Sequence, residues 1–291
     1  MIHDRHGRID YEACGDGPTV VLVPGSCSTG AAWRRIIEQW QGRFRCVTTS
    51  LLGYGGTHER RTALDAGMAH EADVLEAVID RAGGPVHLVG HSFGGLVAVA
   101  VALRRRVPLL SLTVIEAPAV DLLCQAGEHA HYRAFRDLTD SYFAACDAGD
   151  RKAIAAVIDF YGGAGTFAAW PSAVRDYAIE TTHTNRLDWV TGYGFRPFAT
   201  SLARIAVPAL VMSGEASHPA VLRANELLGH SMAHACVATL HDTGHFMIAT
   251  HPVKVASIID RHVARVERRR LMSASHAGDD KRSFVADRAR A

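Results

Sequence analysis

The stretch Pro85-Val86-His87-Leu88-Val89-Gly90-His91-Ser92-Phe93-Gly94-Gly95 decides how the rest of the sequence is read. An apolar run, PVHLV, ends in GHSFGG. The run has the continuous, β-branched character of a strand covered on both faces. The next segment, Phe93 to Arg105, is small and apolar and closes with the basic triplet Arg104 to Arg106. Cations suit a helix C-terminus, so the triplet reads as a solvated helix end rather than a binding patch. Ser92 therefore sits where a strand hands over to a helix, with glycines on both sides. Glycines permit close backbone approach at a sharp turn, and a helix N-terminus offers free N–H groups to a developing oxyanion. G-x-S-x-G in that setting predicts a nucleophilic serine; the competing reading is a turn that happens to contain one.

Similar runs recur at TVVLVPG (19–25), FRCVTTS (44–50), LLSLTVIEA (109–117), PALVMSG (208–214) and ACVATLHD (235–242). RIDYEAC (8–14), followed by the turn signal GDGP, reads as a leading strand. Helical patterns fall between them. Met68 to Ala82 sets Ala72, Leu75, Ala77, Val78 and Ile79 near one face, and Pro252 to Arg270 sets Val255, Ile258, Ile259, His262 and Val266 on one stripe. Alternation of this kind predicts a doubly wound α/β fold, a mostly parallel sheet flanked by helices. Residues 119–203 break the alternation. They carry helical faces instead (Tyr132, Phe135, Leu138, Tyr142; then Ile154, Val157, Ile158, Tyr161) and read as a helical insertion. Most of its aromatics are expected to form a small core of its own, while an insertion at the carboxyl end of a sheet also covers the place where ligands bind. The expected organisation is a core of 1–118 and 204–271, an insertion at 119–203, and a polar tail, 272–291, without regular structure.

Composition narrows the function classes. The 291 residues are 48% hydrophobic and 21% charged, with a formal net charge of +1. That balance gives no electrostatic reason to expect nucleic acid or an anionic membrane as partner. The N-terminal MIHDRHGRID lacks the apolar segment of a secretory signal, and no apolar run approaches the roughly 18 residues of a membrane span. The six cysteines are scattered without metal-type spacing and read as free thiols in a reducing cytoplasm. His129 and His131, two apart, would diverge on a helix and read as solvated residues rather than metal ligands.

The chain resembles the α/β-hydrolase fold family over roughly residues 8 to 266. Val20-Val21-Leu22-Val23-Pro24-Gly25 is similar to the family's strand and oxyanion loop, with Pro24 where histidine is usual. Ser50-Leu51-Leu52-Gly53-Tyr54-Gly55-Gly56-Thr57 is similar to its D-x-x-G-x-G-x-S loop, with Ser50 in place of the acid. Asp242-Thr243-Gly244-His245-Phe246, followed by His251-Pro252, resembles the segment that carries the catalytic histidine, and 119–203 occupies the position of the family's cap. The resemblance implies Ser92 as nucleophile, His245 as base, and the backbone amides of Ser26 and Phe93 as the oxyanion hole. Backbone donors do not depend on the side chain at Pro24. His91 is expected to be a positioning residue, and Cys27 to be a small packed residue or a pocket wall.

The acid is the open point. In Gly214-Glu215-Ala216-Ser217-His218-Pro219, Ser217 stands where the family most often has Asp. A serine cannot supply the charge that orients a histidine and stabilises its protonated form. Glu116, ending LTVIEA, is the favoured replacement because some branches place the acid after that strand. Glu215 is the alternative, and the absence of any working acid, or a different one, is a third. The reading is a serine hydrolase with a Ser92–His245–Glu116 triad that cleaves a carboxylic ester of a small to medium apolar molecule, with no metal or organic cofactor. It takes a small-molecule substrate, and an oligomer is compatible with the sequence. A C–C hydrolase, lactonase, amidase, peptidase or acyltransferase would share the triad. A haloalkane dehalogenase would need Asp at Ser92. From another class, a non-catalytic ligand receptor on the same fold is kept open by Ser217.

Overall fold

The computed structural model describes residues 1–4 and 7–288; of residues 4 and 274–288 only the backbone is described. Strands β1 (Ile2–Asp4) and β2 (Gly7–Ile9) form a separate antiparallel hairpin. Seven more build the main sheet: β3 (Glu12–Cys14), β4 (Thr19–Val23), β5 (Arg45–Thr48), β6 (Val86–His91), β7 (Leu109–Ile115), β8 (Ala209–Gly214) and β9 (Ala235–Leu240). Their order is β3-β5-β4-β6-β7-β8-β9; β3 is antiparallel to β5 and the remaining pairs are parallel. The stretch 8–14 is thus not one leading strand. It divides at Asp10 and Tyr11 between the hairpin and the sheet edge.

Side chains alternate across each strand, and both faces are apolar. Val20 and Leu22 face a layer made by α1 (Arg34–Trp40) and the final helix, where Trp33, Ile36 and Trp40 pack with Val255, Ile259 and Val263. Val21 and Val23 face the other layer, built from α2 (Met68–Ala82) and α3 (Phe93–Arg104). The strand at 235–240 departs from expectation. As the edge strand it leaves most of its residues half-buried or exposed, because nothing pairs beyond it.

Between β7 and β8 the chain is helical: α4 (Val120–Gln125), α5 (His129–Asp147), α6 (Ile154–Gly162), α7 (Thr166–Ala169), α8 (Ser172–Glu180), α9 (Thr182–Gly194) and α10 (Ala199–Leu202). After β8 come α11 (Pro219–His230), which packs on that strand, α12 (Met247–Thr250) and α13 (Pro252–Arg288). The basic triplet after α3 is not simply solvated, since Arg104 and Arg106 pair with Asp73 and Glu76 of α2. The tail also differs from expectation. α13 runs on to Arg288, well past Val266, the last buried apolar residue among those whose side chains are described. Beyond Pro252 the sequence has no further proline and one glycine, Gly278, so nothing there breaks the backbone ladder. The lack of an apolar stripe therefore does not say where a helix ends. Residues 289–291 lie outside the described residues. No described helix is long and apolar enough to cross a membrane.

The topology sets the site. β4 and β6 are neighbours, yet the chain leaves β4 toward β5 on one side and β6 toward β7 on the other. The crevice at their carboxyl ends is the switch point where ligands bind in open parallel sheets. Register aligns those ends across the sheet: Val23 is opposite Gly90, His91 opposite Ile115, Ile115 opposite Met212, and Gly214 opposite Leu240. Ser26, Ser92, Glu116, Ser217 and His245 all lie in the segments immediately beyond.

Candidate active site

Ser92 leaves β6 with φ 52° and ψ −128°, a conformation that side chains rarely adopt. Such a residue costs about 1–3 kcal/mol and persists only where its surroundings hold it. Here Ser92 N–H donates to Ile115 O at 2.8 Å, continuing the β6–β7 ladder, and Ser92 O accepts from Gly95 N at 2.8 Å, which starts α3. Two glycines make the turn possible. A Cβ on Gly90 would lie 2.4 Å from Gly94 O, and one on Gly94 would lie 2.1 Å from Pro24 O. The first turn of α3 is therefore pressed against both β6 and the loop after β4.

His245 is 3% exposed and faces Ser92. Its Nε2 lies 3.0 Å from Ser92 Oγ and its Nδ1 lies 3.1 Å from Glu116 Oε2. With the proton on Nδ1, the imidazole donates to the carboxylate and accepts from the serine hydroxyl. Three further contacts fix it. His91 Nε2–H donates to the His245 carbonyl at 2.8 Å. Burial pushes the His91 pKa down to about 3, so His91 is neutral and serves as a donor rather than a competing cation. The Tyr161 ring lies over the imidazole at 4.0 Å between centroids, and Phe246 meets it edge-on at 5.1 Å.

Glu116 is wholly buried, with φ 55° at the turn that ends β7. Its N–H still donates to Met212 O at 2.9 Å, so the strand ladder holds the turn. Asn225 of α11 holds the next residue by both its backbone groups, accepting from Ala117 N and donating to Ala117 O, each at 2.9 Å. Glu116 Oε1 accepts from Gly214 N at 2.7 Å and from Ser217 Oγ at 2.9 Å, which leaves Oε2 for His245. A carboxylate with three donors is compatible with full burial. Glu215, the other candidate, is exposed and pairs with His241 on the surface. The structure thus brings Ser92, His245 and Glu116 together and leaves Glu215 out. Glu215, His241 and Asp242 form a grouping of metal-type donors among the described residues, but all three are exposed and none lines the cavity.

The amides of Ser26 and Phe93 have no acceptor among the described residues, and both residues line the cavity that holds Ser92 and His245. The cavity encloses about 580 Å³ of space between its lining atoms, part of it open to solvent. Its other wall comes from the helical insertion through Val157, Ile158 and Tyr161 of α6 and Asn185, Asp188 and Trp189 of α9. Some of the insertion's aromatics therefore serve the cavity as well as their own core. Cys27 is a cavity wall too, and burial pushes its thiol up to about 12, so it is a neutral lining group at neutral pH.

Sequence reasoning missed the charged cluster behind this wall. Asp188 Oδ2 accepts from Ser26 Oγ and from Tyr54 OH, each at 2.6 Å, while Oδ1 accepts from Arg61 at 2.9 Å. Arg61 is 4% exposed and also contacts Glu59 at 2.8 Å and Glu71 at 3.0 Å. Burial pushes the Glu71 carboxyl up to about 7 despite Arg61, and burial also raises that of Asp188. The cluster ties α9 to the loop that carries Ser26. Asn225 was missed as well. Glu59-Arg60-Arg61 reads in sequence as a solvated charge run, and Asp188 and Asn225 read as helix surface; no spacing marks them.

Comparison with known proteins agrees with the fold. A family model described as "Alpha/beta hydrolase family" matches residues 20–258. The chain is 34% identical over 100 residues to haloalkane dehalogenase 2 of Mycobacterium tuberculosis, a match covering 34% of this chain and 35% of that one. It is 35% identical over 105 residues to a putative carbamate hydrolase, RutD, of Agrobacterium fabrum, covering 36% and 39%. The matched stretch thus spans little more than a third of each relative. Among solved structures, a thermophilic esterase from Thermogutta terrifontis superposes with TM-score 0.71 at 22% identity, over 90% of this chain and 96% of that one.

Proposed function

Because the chain belongs to the alpha/beta hydrolase family, we propose that it is a serine hydrolase that cleaves a carboxylic ester through an acyl-enzyme, with Ser92, His245 and Glu116 as its triad and the insertion as its cap. The observation that carries this reading is the unbroken chain Glu116 Oε2–His245–Ser92 Oγ at 3.1 and 3.0 Å. It supplies a base for a hydroxyl that is otherwise a poor nucleophile, and a fixed charge for the imidazolium that forms.

In the first half-reaction Ser92 Oγ attacks the acyl carbon as its proton passes to His245 Nε2. The carbonyl oxygen becomes an oxyanion facing the amides of Ser26 and Phe93. Collapse of the adduct breaks the carbon–oxygen bond, and the proton on Nε2 leaves with the alcohol. Water repeats the sequence: Nε2 takes its proton, the acyl–Ser92 bond breaks, and the proton returns to Oγ. Glu116 stays ionised throughout and stabilises His245 in its charged form. The same residues argue against dehalogenation. Displacement of a halide by a serine would leave an ether that water does not cleave, whereas that chemistry needs a carboxylate nucleophile. The catalytic chain also weighs against a non-catalytic receptor, since Ser217, the residue that favoured one, is a hydrogen-bond donor to the acid.

The test is a burst of p-nitrophenol from a short-chain p-nitrophenyl ester together with fluorophosphonate labelling. The wild-type protein should give both, and Ser92→Ala should lose the label and lower kcat by about 10³-fold or more. No burst and no label on the wild-type protein overturns the reading.

A further inference from the structure

The α9 wall of the cavity buries two polar side chains one helical turn apart, on one face. Asp188 is fully answered by Ser26, Tyr54 and Arg61. Asn185 is not. It is 3% exposed, it lines the cavity, and its Oδ1 is buried without a hydrogen-bond partner. Its side chain forms no hydrogen bond to any described residue. An amide oxygen taken out of water without a partner is unfavourable, and a leucine would fill the same space without that penalty. A single unanswered amide on the wall of a reaction cavity is thus a group waiting for a ligand to answer it. The remainder of this wall, Trp189, Gly192 and Tyr193 on α9 and Val157, Ile158 and Tyr161 on α6, offers contact surface and two phenols, one of them bonded to Thr139, but no charge for an anion. Arg61, the nearby cation, faces three carboxylates, Glu59, Glu71 and Asp188, so no net positive charge is left to attract a free carboxylate.

We propose that Asn185 forms a polar subsite that selects esters carrying an uncharged group able both to donate and to accept a hydrogen bond, a carboxamide or a hydroxyl, on one arm. This deepens the hydrolase reading and rests on it for the position of the ester at Ser92. An amide side chain presents an acceptor and a donor side by side, and a carboxamide or hydroxyl answers both. Purely hydrocarbon esters would leave Asn185 unanswered and bind less well, by the logic through which sites built to bond a polar group reject analogues lacking it.

The experiment compares three pairs of esters matched in chain length: methyl N-acetyl-β-alaninate with methyl hexanoate, methyl 6-hydroxyhexanoate with methyl heptanoate, and 2-acetamidoethyl acetate with pentyl acetate. The first and third pairs place the carboxamide on the acyl or the alcohol arm, and the second tests the hydroxyl. The expected result is a kcat/KM ratio of about 10-fold or more for the polar member of at least one pair, falling toward one in Asn185→Leu. Asn185→Ala serves as a second variant, with thermal melting to show that each is folded. Preference for the hydrocarbon member in every pair, or a polar preference unmoved in both variants, overturns the subsite. Equilibrium binding of the same pairs to Ser92→Ala separates the two readings. If wild type hydrolyses none of these esters, the burst and the label still decide the hydrolase reading, and the subsite stands only if Ser92→Ala binds the polar member more tightly and adding Asn185→Leu removes that difference.

Discussion

Ser50 and Ser217 stand at two places where the sequence led one to expect an acid, and the structure answers both in the same way. Ser50 Oγ donates to Asp10 Oδ2 at 2.9 Å, and the same oxygen accepts from Gly56 N at 2.8 Å. Ser217 Oγ donates to Glu116 Oε1 at 2.9 Å, and that oxygen accepts from Gly214 N at 2.7 Å. In each case a carboxylate from a different strand end takes the place, and the serine remains as a donor to it. The difference lies in the second oxygen. Glu116 Oε2 meets a histidine, whereas no histidine is bonded to Asp10 among the described residues. One region is a brace and the other is a brace with a titratable partner. A moved acid keeps a loop in shape wherever it lands, but it can serve catalysis only if one lone pair is left aimed at the imidazole.

The sharpest way to break that comparison is Glu116→Gln. It keeps the size of the side chain and removes the charge behind His245. We expect kcat to fall by about 10³-fold or more at pH 7, with the fold retained by circular dichroism. Adding Ser217→Asp to that variant returns a carboxylate beside the same imidazole. The double variant should recover about 10-fold or more over Glu116→Gln alone, measured with the same p-nitrophenyl ester. Activity within a few-fold of wild type in Glu116→Gln would mean that His245 draws on another acid.

Asp10→Ala tests the other half. Gly56 N and Ser50 Oγ would each lose an acceptor, an effect of about 1–3 kcal/mol on stability. For a chain of this size that lowers Tm by roughly 2–10 °C. kcat/KM should stay within about three-fold, because nothing bonded to Asp10 lines the cavity. A large fall in kcat without a fall in Tm would join this loop to the chemistry.

Glu71 of α2 holds the same loop, since its Oε2 accepts from Leu52 N at 3.3 Å. Burial raises its carboxyl from 4.5 to about 7. Between those values the folded protein keeps a proton that the unfolded chain has released. Stability therefore falls as pH rises from about 4.5 through about 7, and then levels. Glu71→Gln removes this contribution, so its Tm should fall less than that of wild type between pH 5 and pH 8. Parallel curves for the two proteins would show that Arg61 holds Glu71 ionised in the fold across that range.

The parts of the site carried by strand ends were readable in the sequence. A continuous apolar run names a buried parallel strand, the strand end names the loop above the sheet, and a chemically apt residue there names a candidate. Ser92 was found in this way, and the resemblance to the α/β-hydrolase family then singled out His245 and Glu116 beyond two other strand ends. Asp10, Arg61, Asn225 and Asp188 were not found. Ser26 and Asp188 meet across 162 positions and Arg61 and Asp188 across 127, with no period or spacing linking them. A charged residue on an amphipathic helix reads as solvated until a neighbour covers it. The edge position of β9 was hidden for a related reason, because hydrophobicity alone does not tell which strand is last.

Glu215→Gln should have the smallest effect, and it sharpens the comparison most cheaply. Glu215 comes directly after β8 and lies two residues before Ser217, so by sequence position it competes with Glu116 for His245. The register separates them. Glu215 N–H donates to Leu240 O at 2.9 Å, extending the pairing of β8 with β9, and its side chain turns outward to His241. Hydrogen bonding to Glu215 raises the pKa of His241, and the same contact lowers that of Glu215, so the pair is a solvent-exposed ion pair of the kind that contributes little. kcat/KM for Glu215→Gln should stay within about two-fold of wild type across pH 6–9. A loss on the scale of Glu116→Gln would mean that the outward carboxylate reaches His245 during turnover, and the division between brace and catalytic acid would move from the β7 turn to the β8 turn.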